Sequence, residues 1–215
     1  MISLFLDTSS KDLIVELLKD NEVLFSKNKE TLNNHSEFLL PFIYEGLNEN
    51  NILPKQIDKI FVVVGPGSFT GTRIGVTVGK TLAYSIKKNI ILVSSLKMKV
   101  LGLKDNDYYI SIIKDRKNYI YYAIYDKEYN EIVKDCYSSI EKLKKDINKL
   151  ESNYKIICDD DIDLDLKYEK SIFNIKSIVD YYQEKEINSY LIKPNYLKII
   201  EAESKLWLIK LIQVI

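Results

Sequence analysis

The chain has 215 residues, 31 Lys and Arg against 31 Asp and Glu, one His, two Cys, seven Gly and four Pro, with 46% hydrophobic and 29% charged residues. This is the make-up of a globular protein of one domain or two small lobes, and the zero net charge leaves no overall basic footprint for nucleic acid. One histidine excludes His-pair metal motifs, two distant cysteines exclude a disulfide framework or zinc ribbon, and no apolar run nears the roughly 18 residues that span a bilayer. Residues 1–10 lack a basic start and meet Asp7 early, so no signal peptide is read there and a cytoplasmic location is expected.

In chain order, residues 2–8, 12–18 and 22–27 are apolar runs with β-branched and aromatic content, and they predict a three-stranded meander. From Asn34 the period lengthens. Phe38, Leu39, Phe42, Ile43 and Leu47 share one helical face, Asn34 and Glu37 have capping-box spacing, and Pro41 should kink the helix or delay its start. Residues 59–64 form a continuous apolar strand of the kind buried on both faces, ending in Gly65-Pro66-Gly67-Ser68. Over 71–87 the alternation suits a strand and three glycines weaken a helix. Spacing decides for the helix: Ile74, Val78, Leu82 and Ile86 form one row, and Gly71, Gly75, Gly79 and Ala83 form the next. A strand at 90–94 and a short helix capped by Ser95 follow.

After residue 107 the order begins again, with strands at 108–114, 119–125 and 131–137, a helix at 139–150, a strand at 154–158, a helix at 175–186 and a last helix at about 200–213. Two β-β-β-α-β-α units predict a duplicated α/β fold, with lobes at 1–104 and 105–215 and the last helix free to return to the first lobe. That layout resembles the two-lobed actin-like superfamily (ASKHA, ribonuclease H-like), in which the turn after each first strand cradles nucleotide phosphates.

Chemistry has few candidates. The strand-to-helix passage through Gly67 and Ser68 offers backbone amides and a dipole to an anion, with Arg73 nearby. It fits neither the P-loop nor the G-x-G-x-x-G pattern, and a tight turn is the plainer reading. Asp7, Thr8 and Ser9 end the first strand and Asp115 ends its counterpart, yet neither turn holds the glycine that would bring backbone against phosphate. Both carboxylates are expected to be structural. The bare row Gly71, Gly75, Gly79 is a contact surface, either for the chain's own sheet or for a partner helix. His35, Ser36 and Glu37 are adjacent and cannot face one another as a triad requires, and Ser68 has no evident base. The acidic run 159–165 lacks calcium-loop spacing and reads as a solvated loop. Tyr119, Tyr121 and Tyr125 share one strand face, where sheet packing is favoured over base stacking.

The chain resembles the TsaB (YeaZ) family through LDTS at 6–9, NHSEFLLPFI at 34–43, GPGSFTGTRIGVTVGKTLAY at 65–84, VSSL at 93–96, KDRKNYIYYAIYD at 114–126 and PNYLK with EAESKLW at 194–207. Residues 136–190 carry little of the likeness, and Lys198 stands where the family more often has Arg. The resemblance implies a non-catalytic subunit in the synthesis of threonylcarbamoyladenosine on tRNA. Such a subunit pairs with the catalytic, metal-holding TsaD and a TsaE-type ATPase, or with itself when alone. It has no cofactor of its own, ATP or ADP being held at the complex interface, and reaches tRNA only through the complex. The partner surface would comprise His35, Phe38, Leu39 and Phe42 of the first helix with Gly71, Ile74, Gly75, Val78 and Gly79 of the second. The rival expectations are a small actin-like phosphotransferase or ATPase using Asp7, Thr8, Gly67, Ser68 and Asp115, and a peptidase.

Overall fold

A computed structural model describes residues 1–31, 34–188 and 192–197. The first half runs β1 (Ile2–Asp7), β2 (Asp12–Lys19), β3 (Glu22–Glu30), α1 (His35–Glu49), a 3-10 turn (Pro54–Gln56), β4 (Lys59–Val63), α2 (Phe69–Ser85), β5 (Ile90–Val93) and α3 (Ser95–Met98). The second runs β6 (Tyr108–Lys114), β7 (Tyr119–Asp126), β8 (Glu131–Ser139), α4 (Ile140–Ile147), β9 (Tyr154–Cys158), α5 (Ile175–Tyr182) and β10 (Glu186–Ile187). The expected last helix at about 200–213 lies outside the described residues.

The strands form a six-stranded sheet in the order β10-β5-β4-β1-β2-β3 and a four-stranded sheet in the order β8-β7-β6-β9. In each sheet the first strand pairs antiparallel with the second and parallel with the fourth. The duplicated, two-lobed actin-like α/β architecture is therefore visible as a repeated strand order.

Alternation along the strands supplies both faces of the first sheet. Leu4, Leu6, Val15, Ile60 and Val62 meet α1 and α2 on one side, while Phe5, Ile14, Phe61, Val63 and Val93 meet Ile175, Ile178, Val179 and Tyr182 of α5 on the other. That placement corrects the sequence reading, which put 175–186 in the second unit. The helix is shorter, and the strand after it pairs antiparallel with β5, so the second half of the chain covers the exposed side of the first sheet.

Two local expectations also change. The first helix passes through Pro41 as one element, and the Asn34 side chain makes no cap bond, its amide reaching the Glu37 carboxylate at 3.4 Å instead. The short helix is capped by Ser94, whose hydroxyl accepts from the Lys97 amide at 3.2 Å, and not by Ser95.

Candidate functional site

The glycine row of α2 faces inward. A Cβ on Gly71 would lie 2.0 Å from the Thr8 carbonyl oxygen, one on Gly75 2.3 Å from Thr8 Oγ1, and one on Gly79 2.4 Å from Val62 Cγ2. Bare backbone lets α2 sit directly on the ends of β1 and β4, and the Thr8 hydroxyl donates to the Gly71 carbonyl at 2.7 Å. The assignment of Gly71, Gly75 and Gly79 to a partner surface is corrected accordingly. His35, Leu39 and Phe42 are also buried beneath this chain's own elements, whereas Phe38, Ile74 and Val78 are partly exposed at the margin.

The same contact closes the first of the expected phosphate turns. Ser68 donates its amide to the Ser9 carbonyl at 2.7 Å, its hydroxyl accepts from the Gly71 amide at 3.1 Å, and its carbonyl accepts from the Thr72 amide at 2.9 Å. A Cβ on Gly67 would stand 2.2 Å from the Ser9 carbonyl oxygen. Three of the amides at this turn, those of Ser68, Gly71 and Thr72, are thus engaged within the protein. The Asp7 carboxylate is 2% exposed and accepts from the Ser9 amide at 2.7 Å. Burial pushes its pKa up, opposed by that hydrogen bond and by the charges of Lys99 and His35.

Arg73 does not turn toward this site. Its Nε donates to the Tyr196 hydroxyl at 2.7 Å, and its guanidinium lies 3.7 Å from the Phe69 ring centroid. Asp115 lies at the tip of the second sheet and accepts from the Tyr137 hydroxyl at 2.8 Å. Asp7, Thr8, Ser9, Gly67 and Ser68 are therefore brought together as a structural joint, while Arg73 and Asp115 belong to other environments. Among the described residues His35 Nε2 is buried without a hydrogen-bond partner, so it forms no triad contact with Ser68.

The turn is braced from the second sheet as well. Ser95 donates its hydroxyl to the Pro66 carbonyl, and the neighbouring Ser94 hydroxyl donates to Asp135 on β8 at 2.7 Å, where the Tyr125 hydroxyl also donates at 3.1 Å. Burial raises the pKa of Asp135. The acidic run is tied down more than a solvated loop would be: Asp159 pairs with Lys99 and accepts the Ser171 amide at 2.7 Å, and Asp160 accepts the Lys114 amide at 2.9 Å. Among the described residues no group of three His, Cys, Asp or Glu is placed to hold a metal ion, and no helix is long and apolar enough to cross a membrane.

What the sequence reading missed is the outer face of α1. Leu40 is 59% exposed and Tyr44 71% exposed, one turn apart and opposite the buried stripe. The i, i+4 spacing of two large apolar residues off the core face was the available signal. Phe69, at the start of α2, is likewise exposed.

Comparison with known proteins places these features in a family context. A family model described as TsaD, tRNA N6-adenosine threonylcarbamoyltransferase, matches residues 27–176. The chain is 38% identical over 126 residues to the tRNA threonylcarbamoyladenosine biosynthesis protein TsaB of Bacillus subtilis, a match that covers 58% of this chain and about half of that relative, 55%. It is 30% identical over 151 residues to TsaB of Buchnera aphidicola subsp. Baizongia pistaciae, covering 67% of each. A crystal structure described as an uncharacterised protein with similarity to peptidase YEAZ from Pseudomonas aeruginosa superposes with a TM-score of 0.73 at 18% identity, covering 92% of this chain and 99% of that one, which speaks to the fold alone.

Proposed function

Because this chain belongs to the TsaB (YeaZ) family, we propose that it acts in threonylcarbamoyladenosine synthesis on tRNA as a non-catalytic subunit that seats a TsaD-type transferase on the outer face of α1. The observation that carries this reading is the exposed pair Leu40 and Tyr44 in a chain whose Asp7 turn is buried. An apolar ridge left open to water is suited to another protein, and a closed phosphate turn is poorly suited to catalysis.

The partially exposed Ile74 and Val78 of α2 join that ridge in the contact, with Phe38 on the β3 flank of α1 at its edge, while the glycine row sets the height of α2 by letting it lie close to the sheet. In this reading the chain brings no cofactor. ATP or ADP is held where the subunits of the complex meet, a TsaE-type ATPase joins the assembly, and a second copy of the chain covers the same ridge when the transferase is absent.

The test is co-expression with a TsaD-type transferase, followed by size exclusion and a tRNA modification assay with and without this chain. Tyr44→Ser should weaken co-elution at least tenfold while shifting unfolding stability by less than about 0.5 kcal/mol, as expected for an exposed position. Wild-type association in that variant would overturn the placement of the partner. ATP turnover or peptide hydrolysis by the isolated chain would overturn the non-catalytic role.

A further inference from the structure

The pleat of β7 sends Tyr125, Ala123, Tyr121 and Tyr119 to one face, and their burial changes steadily along it. Tyr125 and Ala123 are 0% exposed and Tyr121 8% exposed, all three packed in the cluster that holds Leu96 and Val100, but Tyr119 emerges at 49%. The neighbouring ring of Tyr137, on β8 opposite Tyr121, lies 5.4 Å from Tyr119 with the planes only 21° apart and 4.9 Å from Tyr121. Tyr119 is thus a braced aromatic with surface still open to solvent.

The turn leading into it is basic. Its shape is fixed by the Asp115 amide donating to the Tyr119 carbonyl and the Tyr119 amide donating to the Arg116 carbonyl, each at 3.1 Å, with Lys117 in the left-handed region at φ 55°. Arg116 and Lys117 are exposed and make no ion pair among the described residues. Lys114 is held at the base of the turn against the acidic run, its ammonium donating to the Asp161 carbonyl and its amide to the Asp160 carboxylate.

We propose that this hairpin tip is an RNA-binding surface, with Tyr119 stacking a base and Arg116 and Lys117 meeting the adjoining phosphates. Cations without acidic partners beside a pre-positioned ring match a strand that alternates phosphate and base, and the brace from Tyr137 lowers the entropy lost on stacking. Zero net charge over the whole chain does not oppose this, since recognition needs only the local field. The proposal rests on the tRNA-modification reading above and goes beyond it by giving this subunit its own RNA contact, on a different lobe from the α1 ridge.

The experiment is fluorescence anisotropy of the full chain with a labelled unmodified tRNA transcript, at low and near-physiological salt. The expected results are micromolar binding, a loss of about tenfold for Tyr119→Leu, near wild-type binding for Tyr119→Phe, and for the Arg116→Ala, Lys117→Ala double variant a salt slope lowered by about 1 to 2. Circular dichroism confirms that each variant is folded. Absence of RNA binding by the wild-type chain, or unchanged binding in both Tyr119→Leu and the double variant, would overturn the proposal. So would loss of transferase co-elution in the double variant, because the tip would then be a protein contact. If the proposal fails, co-elution through Tyr44 is untouched, and if the partner reading fails, RNA binding by the isolated chain still reports on the tip.

Discussion

The turns that leave β1 and β6 hold corresponding places in two sheets of the same strand order, and their surroundings are opposite. Around the first, Asp7, Thr8 and Ser9 are at most 4% exposed beneath Gly67, Gly71 and Gly75. Around the second, Arg116, Lys117, Asn118 and Tyr119 all stand in solvent. A position in a duplicated fold does not settle what a turn does. What packs over it decides, and here one copy became a joint while the other stayed available.

The strongest way to break this contrast is to put a side chain into the joint. Gly71→Ala places its Cβ against the backbone oxygen of Thr8, which cannot rotate away, so a loss of about 3 kcal/mol or more is expected in urea unfolding, up to failure to fold. A substitution in the exposed turn costs far less. Near-native stability for Gly71→Ala would mean that α2 lies farther from β1 and that the row is free for another molecule.

Thr8→Val sharpens the same point with a smaller expected effect. It keeps the shape of the side chain and removes only the hydroxyl that donates to the Gly71 carbonyl, so a loss of about 1 kcal/mol is expected from the same measurement. No loss would make the bond incidental and leave close packing and the bond from the Ser68 amide to the Ser9 carbonyl to hold this joint.

Much of this is legible in the amino-acid sequence. The continuous apolar, β-branched and aromatic runs of β1, β4 and β7 and the period-four rows of α2 gave element types and the repeated order, because burial on a sheet or a helix face leaves a pattern local in sequence. The row Gly71, Gly75, Gly79 announced a close approach, but the partners in that approach are Thr8 for the first two glycines and Val62 for the third, both outside the helix, and spacing within one helix carries no information about them. The exchange of α5 onto the first sheet was hidden for a similar reason. Ile175, Ile178, Val179 and Tyr182 make an apolar stripe that would suit either sheet, and the choice is set by the path of residues 159–174, which lack a periodic pattern.

The smallest expected effect concerns charge within the joint. Burial raises the Asp7 pKa above its unfolded value, so the folded state holds its proton more tightly than the unfolded chain does. Stability contributed by the protonated form is therefore complete below the usual carboxylate range and is lost as pH rises through the raised folded value. Asp7→Asn keeps an oxygen for the Ser9 amide and removes the titration. The two proteins should match in stability at acid pH, with the variant gaining on the wild type as pH rises toward neutrality, although Lys99 and His35 nearby limit the gain by favouring the carboxylate. A difference that stays flat from pH 3.5 to 8 in parallel unfolding series would show that Asp7 ionises as it does in water, and the first turn would then be as open as the second.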